Sequence, residues 1–216
     1  LNSKMNNICL IPARGGSKRI PNKNIKSFHG KPLIAWSIEC ALSSKLFKDV
    51  YVSTDSPEIA SISESFGAKI PFMRPKEIST DETPDLEVRV HFINWLKDSN
   101  IQANYLCYLY PTAPFITVDT LQGCYEKLKN SNADSILTVT NYPYPVQRAL
   151  QKNEDESLSF VWEKHSNSRS QNLTELFHDA GQCYFFNLKK NYDQAYGKRI
   201  GYKLPRIICQ DIDDLE

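Results

Sequence analysis

The stretch IPARGGSKRIPNKN, Ile11 to Asn24, gathers Arg14, Lys18, Arg19 and Lys23 around Gly15, Gly16 and Ser17, with no acid among them. Four cations so close in sequence repel one another unless a dense anion sits among them, and a polyphosphate is the obvious candidate. Gly15 and Gly16 let the backbone approach a phosphate and present N–H groups to it, because neither has a side chain to block contact. Ser17 adds a hydroxyl donor. Arg14 can grip phosphate oxygens in two-point fashion, while Lys18 and Lys23 act as mobile point charges, and Pro21 stiffens the loop between them. The pattern matches neither G-x-x-x-x-G-K-[ST] nor G-x-G-x-x-G, and a surface loop with scattered lysines around a tight turn is the plainer alternative.

Other residue types in the chain suit the same chemistry. In QDIDD, Asp211 and Asp213 have the alternation that points both carboxylates to one side of an extended segment. Two close carboxylates repel unless a proton or cation relieves them, and Mg²⁺, which takes oxygen ligands and substrate phosphates, would do so; a solvated acidic tail is the alternative. Asp55, in STD, closes an apolar run, although with Ser56 it would equally start the next helix. Arg74, in RPKEI, follows another short extended run and reads either as a base-contacting residue or as a plain surface arginine. Tyr110 and Thr112 lie in YPTAPF, where two prolines force a rigid non-helical turn that also reads as loop punctuation.

Gln147, Arg148, Arg169, His178, Asp179 and Gln182 are polar groups in an aromatic region. Arg148 or Arg169 could pair with a carboxylate in two-point geometry, and surface ion pairs would explain either as well. His178 reads as structural and His29 as a turn residue. No Ser-His-Asp or Cys-His arrangement stands out, so a covalent enzyme intermediate is not expected.

These residues need elements to hold them. The 216 residues suffice for one domain with a sizeable core. With 26 basic and 25 acidic residues there is no global field to attract nucleic acid or a membrane, so any anion site must be local. The six cysteines are widely spaced without a C-x-x-C pair and read as buried thiols of a reducing compartment. No run approaches the roughly 18 apolar residues of a membrane span, and no signal-peptide core is present, so a cytoplasmic protein is expected. Leu1 to Lys4 precede the first methionine, Met5, and are set aside as a remnant, which leaves 5–216 as one domain.

Apolar runs alternate with amphipathic ones. Strands are expected at Ile8–Ile11, Asp49–Ser53, Lys69–Met73, Tyr105–Tyr110 and Ser135–Val139, and helices at Pro32–Leu42, after Ser56, at Leu86–Leu96 and at Val118–Leu128. This βαβ rhythm predicts an α/β fold, a mostly parallel sheet flanked by helices. Ligands in such sheets bind at the carboxyl ends of the strands, where the basic loop must fall. From Asn141 the pattern changes: NYPYPVQRAL, SLSFVWEKH and AGQCYFFN read as extended segments of a small antiparallel insertion, about 141–180, whose Tyr142, Tyr144, Phe160 and Trp162 could cover a substrate or meet a second subunit.

The segments CLIPARGGSKRIPNKNIKSFHGKPLIAWSIECA, VSTDSPEIASISESFGAKIPFMRPKEISTDETP, YPTAPF and LPRIICQDID together resemble the acylneuraminate cytidylyltransferase family, which makes CMP-activated sialic acids, over nearly the whole chain. Within it, YPYPVQRAL and RSQNLTELFHDAGQCYFF look most like members acting on pseudaminic acid. The resemblance implies a Rossmann-like nucleotide-diphospho-sugar transferase fold, CTP and a nonulosonic acid as partners, Mg²⁺ on Asp211 and Asp213, and a homodimer formed through the insertion. It implies that Ala13, Gly15, Gly16, Ser17, Lys18, Asn24 and Asp55 belong to the nucleotide site, with Arg74 beside the cytosine. Arg14 and Lys23 are then the catalytic cations on the α-phosphate and departing pyrophosphate, and Tyr110, Thr112, Gln147, Arg148, Arg169, Asp179 and Gln182 face the sugar. Sialic acid-specific relatives carry glutamine where Tyr110 stands, a departure that favours a differently substituted nine-carbon sugar acid.

Overall fold

The computed structural model describes residues 6–190, 197–210 and 212. β1 (Asn7–Pro12) carries apolar side chains toward both of its faces and is buried along almost its whole length, as a strand covered from both sides must be. β2 (Ser27–Phe28) and β3 (Lys31–Pro32) form a two-stranded ribbon that turns through His29 and Gly30, both at positive φ. α1 (Leu33–Ser43), β4 (Asp49–Ser53) and α2 (Pro57–Ser65) follow, with the Ser56 hydroxyl accepting the Ile59 N–H at the start of α2. Then come α3 (Asp85–Asp98), β5 (Tyr105–Leu109), α4 (Val118–Lys129) and β6 (Ser135–Asn141). β7 (Leu150–Lys152) pairs with β8 (Leu158–Phe160) in a separate antiparallel hairpin, before β9 (Phe177–Asn187) and β10 (Arg199–Lys203).

The central sheet has the order β4-β1-β5-β9-β6-β10. Its strands run parallel except β9, which pairs antiparallel with β5 on one side and β6 on the other. Side-chain alternation along β1 sends Cys9 and Ile11 to one layer and Ile8 and Leu10 to the other. The first layer packs under α1 and α4 through Ile34, Ile38, Leu121, Cys124 and Leu128; the second packs under α3 through Phe92, Ile93 and Leu96. Gly123 of α4 faces the Tyr202 ring of β10 so closely that a β-carbon there would collide with it, which lets that edge of the sheet approach the helix.

Two expectations from the sequence are corrected. Lys69 to Met73 is no strand: it meets β4 only through isolated bridges at Tyr51–Lys69 and Thr54–Met73, and Pro71 between them has no N–H to give a continuous ladder. AGQCYFFN is not part of the antiparallel excursion but the middle of the central sheet, since β9 is the strand on which the chain returns from it. All six cysteines are free, with Cys9, Cys107, Cys124 and Cys183 buried.

Phe92 is fully buried between β-sheet and α3, stacked on Trp95 with ring centroids 5.7 Å apart. Phe92→Ala should lower unfolding free energy by about 3–5 kcal/mol in a urea titration, and a loss below about 1 kcal/mol would show that this layer repacks freely.

Candidate active site

Because β1, β4 and β5 are parallel neighbours, the segments after Pro12, Ser53 and Leu109 leave the sheet along one edge. They wall a cleft of about 620 Å³. Arg14, Ser17, Lys18, Arg19, Lys23 and Asn24 come to it from the basic loop, Arg74 and Thr80 to Asp85 from the segment before α3, and Tyr110 to Thr112 from the end of β5.

The basic loop is held by its backbone. Ala13 N–H donates to the Ser53 carbonyl at 2.9 Å and Gly15 N–H to Asp55 Oδ1 at 2.8 Å. Asn24, buried, donates its amide to the Arg14 carbonyl at 2.9 Å. A side chain at residue 15 would put its β-carbon 3.0 Å from that of Ser56, so a substitution there would press the loop against the start of α2. Gly16 faces open space and is not required by packing. Asp55 therefore both precedes the helix and anchors the loop, and Asn24 acts first as a clamp on the chain beneath Arg14.

The cations are not left to repel one another. Asp81, from the exposed segment before α3, pairs with Arg14 and, at 2.6 Å, with Lys18. Lys18 first, and then Arg14, hold its carboxyl below the usual carboxylate range. No acid lies inside the loop, and the sequence carried no local signal that one would arrive from 60-odd residues away. Lys23 Nζ donates to the Ile212 carbonyl at 2.8 Å, so the chain returns to the loop at that residue. Asp211 and Asp213 lie outside the described residues.

Arg74 is no surface arginine. It is buried, its Nε donates to Ser53 Oγ at 3.1 Å and a second guanidinium nitrogen to the Ser53 carbonyl, and burial lowers its pKa. Tyr110 and Thr112 line the cleft as expected, and the Tyr110 carbonyl accepts from Ser37 of α1 at 2.8 Å. Asp85, at the start of α3, accepts from Tyr108 at 2.9 Å and from Tyr110. Burial, and then the Asp85 charge, push the Tyr110 phenol upward, so it stays a neutral donor at any working pH.

The remaining sugar candidates do not meet in this cleft. Gln182 is buried, its amide nitrogen donating to the Ile208 carbonyl and tying β9 to the 206–208 turn, while its Oε1 has no partner among the described residues. Gln147 donates to the Thr174 carbonyl at 2.8 Å and lines a separate cavity of about 280 Å³ within the excursion. Arg148 and Arg169 are exposed on that excursion and line neither cavity. Asp179 accepts from Gly181 N–H at 2.8 Å and from the Tyr184 hydroxyl at 2.9 Å. His178 contacts the neighbouring Asp179 carbonyl, a structural role.

A mostly parallel sheet with a clamped glycine-bearing cationic loop at its carboxyl edge places this protein among α/β proteins whose ligand cleft lies at that edge. The chain belongs to the cytidylyltransferase family, whose model matches residues 8–204. It is 41% identical over 215 residues to the pseudaminic acid cytidylyltransferase of Campylobacter jejuni, covering 98% of this chain and 93% of that one. The N-acylneuraminate cytidylyltransferase of Escherichia coli is 32% identical over 214 residues, 96% of this chain and 49% of its own length. Among solved structures, CMP:2-keto-3-deoxy-manno-octonic acid synthetase complexed with CTP superposes with a TM-score of 0.66 at 18% identity, over 92% of this chain and 89% of that one, a likeness of fold.

The Asp81 bridge occupies the cations that a polyphosphate would need. Asp81→Asn should tighten inorganic tripolyphosphate binding by about two- to fivefold at low salt, as loss of an exposed competing ion pair implies, and calorimetry showing equal or weaker binding would mean that Asp81 does not compete. Because the folded pKa lies below the unfolded one, the stabilisation from this bridge is complete above pH about 4 and is lost as pH falls through the lowered value.

Proposed function

We propose that this protein is a nucleotidyltransferase that activates pseudaminic acid: CTP and the sugar acid give the CMP-sugar and pyrophosphate. The observation that carries the reading is the near-full-length 41% identity to a pseudaminic acid cytidylyltransferase in a chain whose basic loop, Arg74 and Tyr110 share one cleft. Tyr110 in place of glutamine supports a nonulosonic acid other than ordinary sialic acid.

In the reaction the anomeric hydroxyl of the sugar acid attacks the α-phosphorus, the bond to the bridging oxygen of pyrophosphate breaks, and the hydroxyl proton is lost. Such chemistry needs in-line positioning and neutralisation of developing charge more than covalent help. Arg14 and Lys23 are the residues assigned to the α-phosphate and the leaving pyrophosphate, with Lys18 and Ser17 completing the cradle once Asp81 yields. Arg74, fixed by Ser53 where β4 ends, is assigned to the wall against the cytosine. Tyr110 and Thr112 are assigned to the sugar.

Mg²⁺ is assigned to Asp211 and Asp213, and when bound it would draw charge from the triphosphate. Carboxylate and phosphate oxygens suit that hard cation, and the contact of Lys23 with Ile212, the residue between the two aspartates in sequence, supports the placement. We further assign the exposed Tyr144, Leu158 and Trp162 of the excursion to a homodimer interface, across which Arg148 or Arg169 would reach a partner's sugar carboxylate. No helix among the described residues is long and apolar enough to cross a membrane, and a cytoplasmic site of action fits the reading.

Pyrophosphate release should appear with CTP, Mg²⁺ and pseudaminic acid, and far less with N-acetylneuraminic or legionaminic acid; activity confined to N-acetylneuraminic acid would reject the substrate assignment. Lys23→Ala should cut kcat by on the order of 10²-fold or more, as loss of a transition-state charge partner does elsewhere. Chelation should abolish turnover and added Mg²⁺ restore it.

A further inference from the structure

On the α3 side of the sheet lies a second cavity, of about 210 Å³. It shares a wall with the large cleft, for Asp85, Tyr108 and Tyr110 line both. Arg89, one turn along α3 from Asp85, faces this cavity while only 8% exposed, its guanidinium lying 4.0 Å above the Phe186 ring centroid. Among the described residues that guanidinium makes no hydrogen bond or ion pair, and its Nε is buried without a partner. A buried ionised group left so is costly unless something else satisfies it. The carboxylates on the same wall accept from other donors, Asp85 from the hydroxyls of Tyr108 and Tyr110 and Asp179 from Tyr184 and the Gly181 N–H; Asp85 offsets the Arg89 charge through space but takes no hydrogen bond from it. Arg199 of β10 adds a second guanidinium to the wall.

The chemistry of the acceptor decides which part of it can enter. In a nonulosonic acid the carboxylate sits on the anomeric carbon, whose hydroxyl must stay at the α-phosphate in the large cleft. The part of the sugar acid that would reach beyond Tyr110 is then one remote from the anomeric carbon, an acylated stretch of the chain. Phenol and phenyl rings of Tyr110, Tyr184 and Phe186 give that stretch an apolar lining, and Arg89 gives it strong donors.

Resting on the function proposed above, we infer that this cavity is a subsite for the acylated tail of the sugar acid, and that Arg89 is a specificity-determining residue donating to an acyl carbonyl oxygen there. The Arg89 guanidinium, with Arg199 beside it, also disfavours an acceptor whose nitrogen is a free ammonium at the acyl position, against the opposing pull of Asp85 and Asp179 on the same lining.

The test is steady-state pyrophosphate release with N-acylated acceptor and with its de-N-acylated amine, using wild type, Arg89→Met and Arg89→Lys. Wild type should favour the acylated acceptor. Arg89→Met should raise the acceptor KM about tenfold or more, leave the CTP KM unchanged and erase most of the preference for the acylated form, with Arg89→Lys recovering part of it. An unchanged acceptor KM and unchanged preference in a folded Arg89→Met variant would overturn the subsite. Should that variant fail to fold, equal use of both acceptors by wild type would overturn it instead. Failure of wild type to release pyrophosphate with any nonulosonic acid would refute the proposed reaction itself, a separate result.

Discussion

Crowding of like charge is the constraint around which this molecule is arranged. Arg14, Lys18, Arg19 and Lys23 lie within ten residues, and left to itself such a segment would extend to separate its charges. The chain counters that tendency with neutral backbone ties. Asp55 takes the Gly15 N–H, Asn24 takes the Arg14 carbonyl, and Ala13 still belongs to the edge of the sheet through Ser53. Each tie is worth only about 1 kcal/mol net, yet each satisfies a partly or fully buried group that would otherwise be orphaned. The loop is therefore shaped before any ligand arrives, and the cations are presented on a template instead of being gathered by the ligand.

Asp81 completes that arrangement by lending a counter-charge from outside the loop. A carboxylate inside the loop would compete with a phosphate permanently, since its reach could not change. Asp81 instead comes from an exposed segment on the far side of the cleft and pairs there with Arg14 and Lys18. The same segment ends at Asp85, which fixes Tyr108 and Tyr110 at the opposite wall. The basic-loop and Tyr110 sides of the cleft are thus linked through the six residues from Thr80 to Asp85.

β9 sets the other boundary. By entering antiparallel between β5 and β6 it places Asp179 and Tyr184 beside Tyr110, with Tyr184 and Tyr110 rings 5.4 Å apart. It also buries Gln182, whose amide nitrogen is thereby tied to the 206–208 turn. The Cα register that pairs Leu109 with Cys183 is what brings Tyr110, Asp179 and Tyr184 together.

Much of this was legible in the chain itself. Alternation of apolar and amphipathic runs determined the strands and helices of the first two thirds apart from Lys69–Met73, and the glycines, cations and acid-free spacing of residues 11–24 marked out a cationic loop, because those are local properties of backbone freedom, charge and period. Tertiary structure alone decided what opposes them. Asp81 against Arg14, Asp85 against Tyr110, Arg89 over Phe186 and the mid-sheet position of β9 all join residues at least fourteen apart in sequence. Sequence periodicity carries no information about such pairings, since they follow from which strands become neighbours and which faces the helices cover.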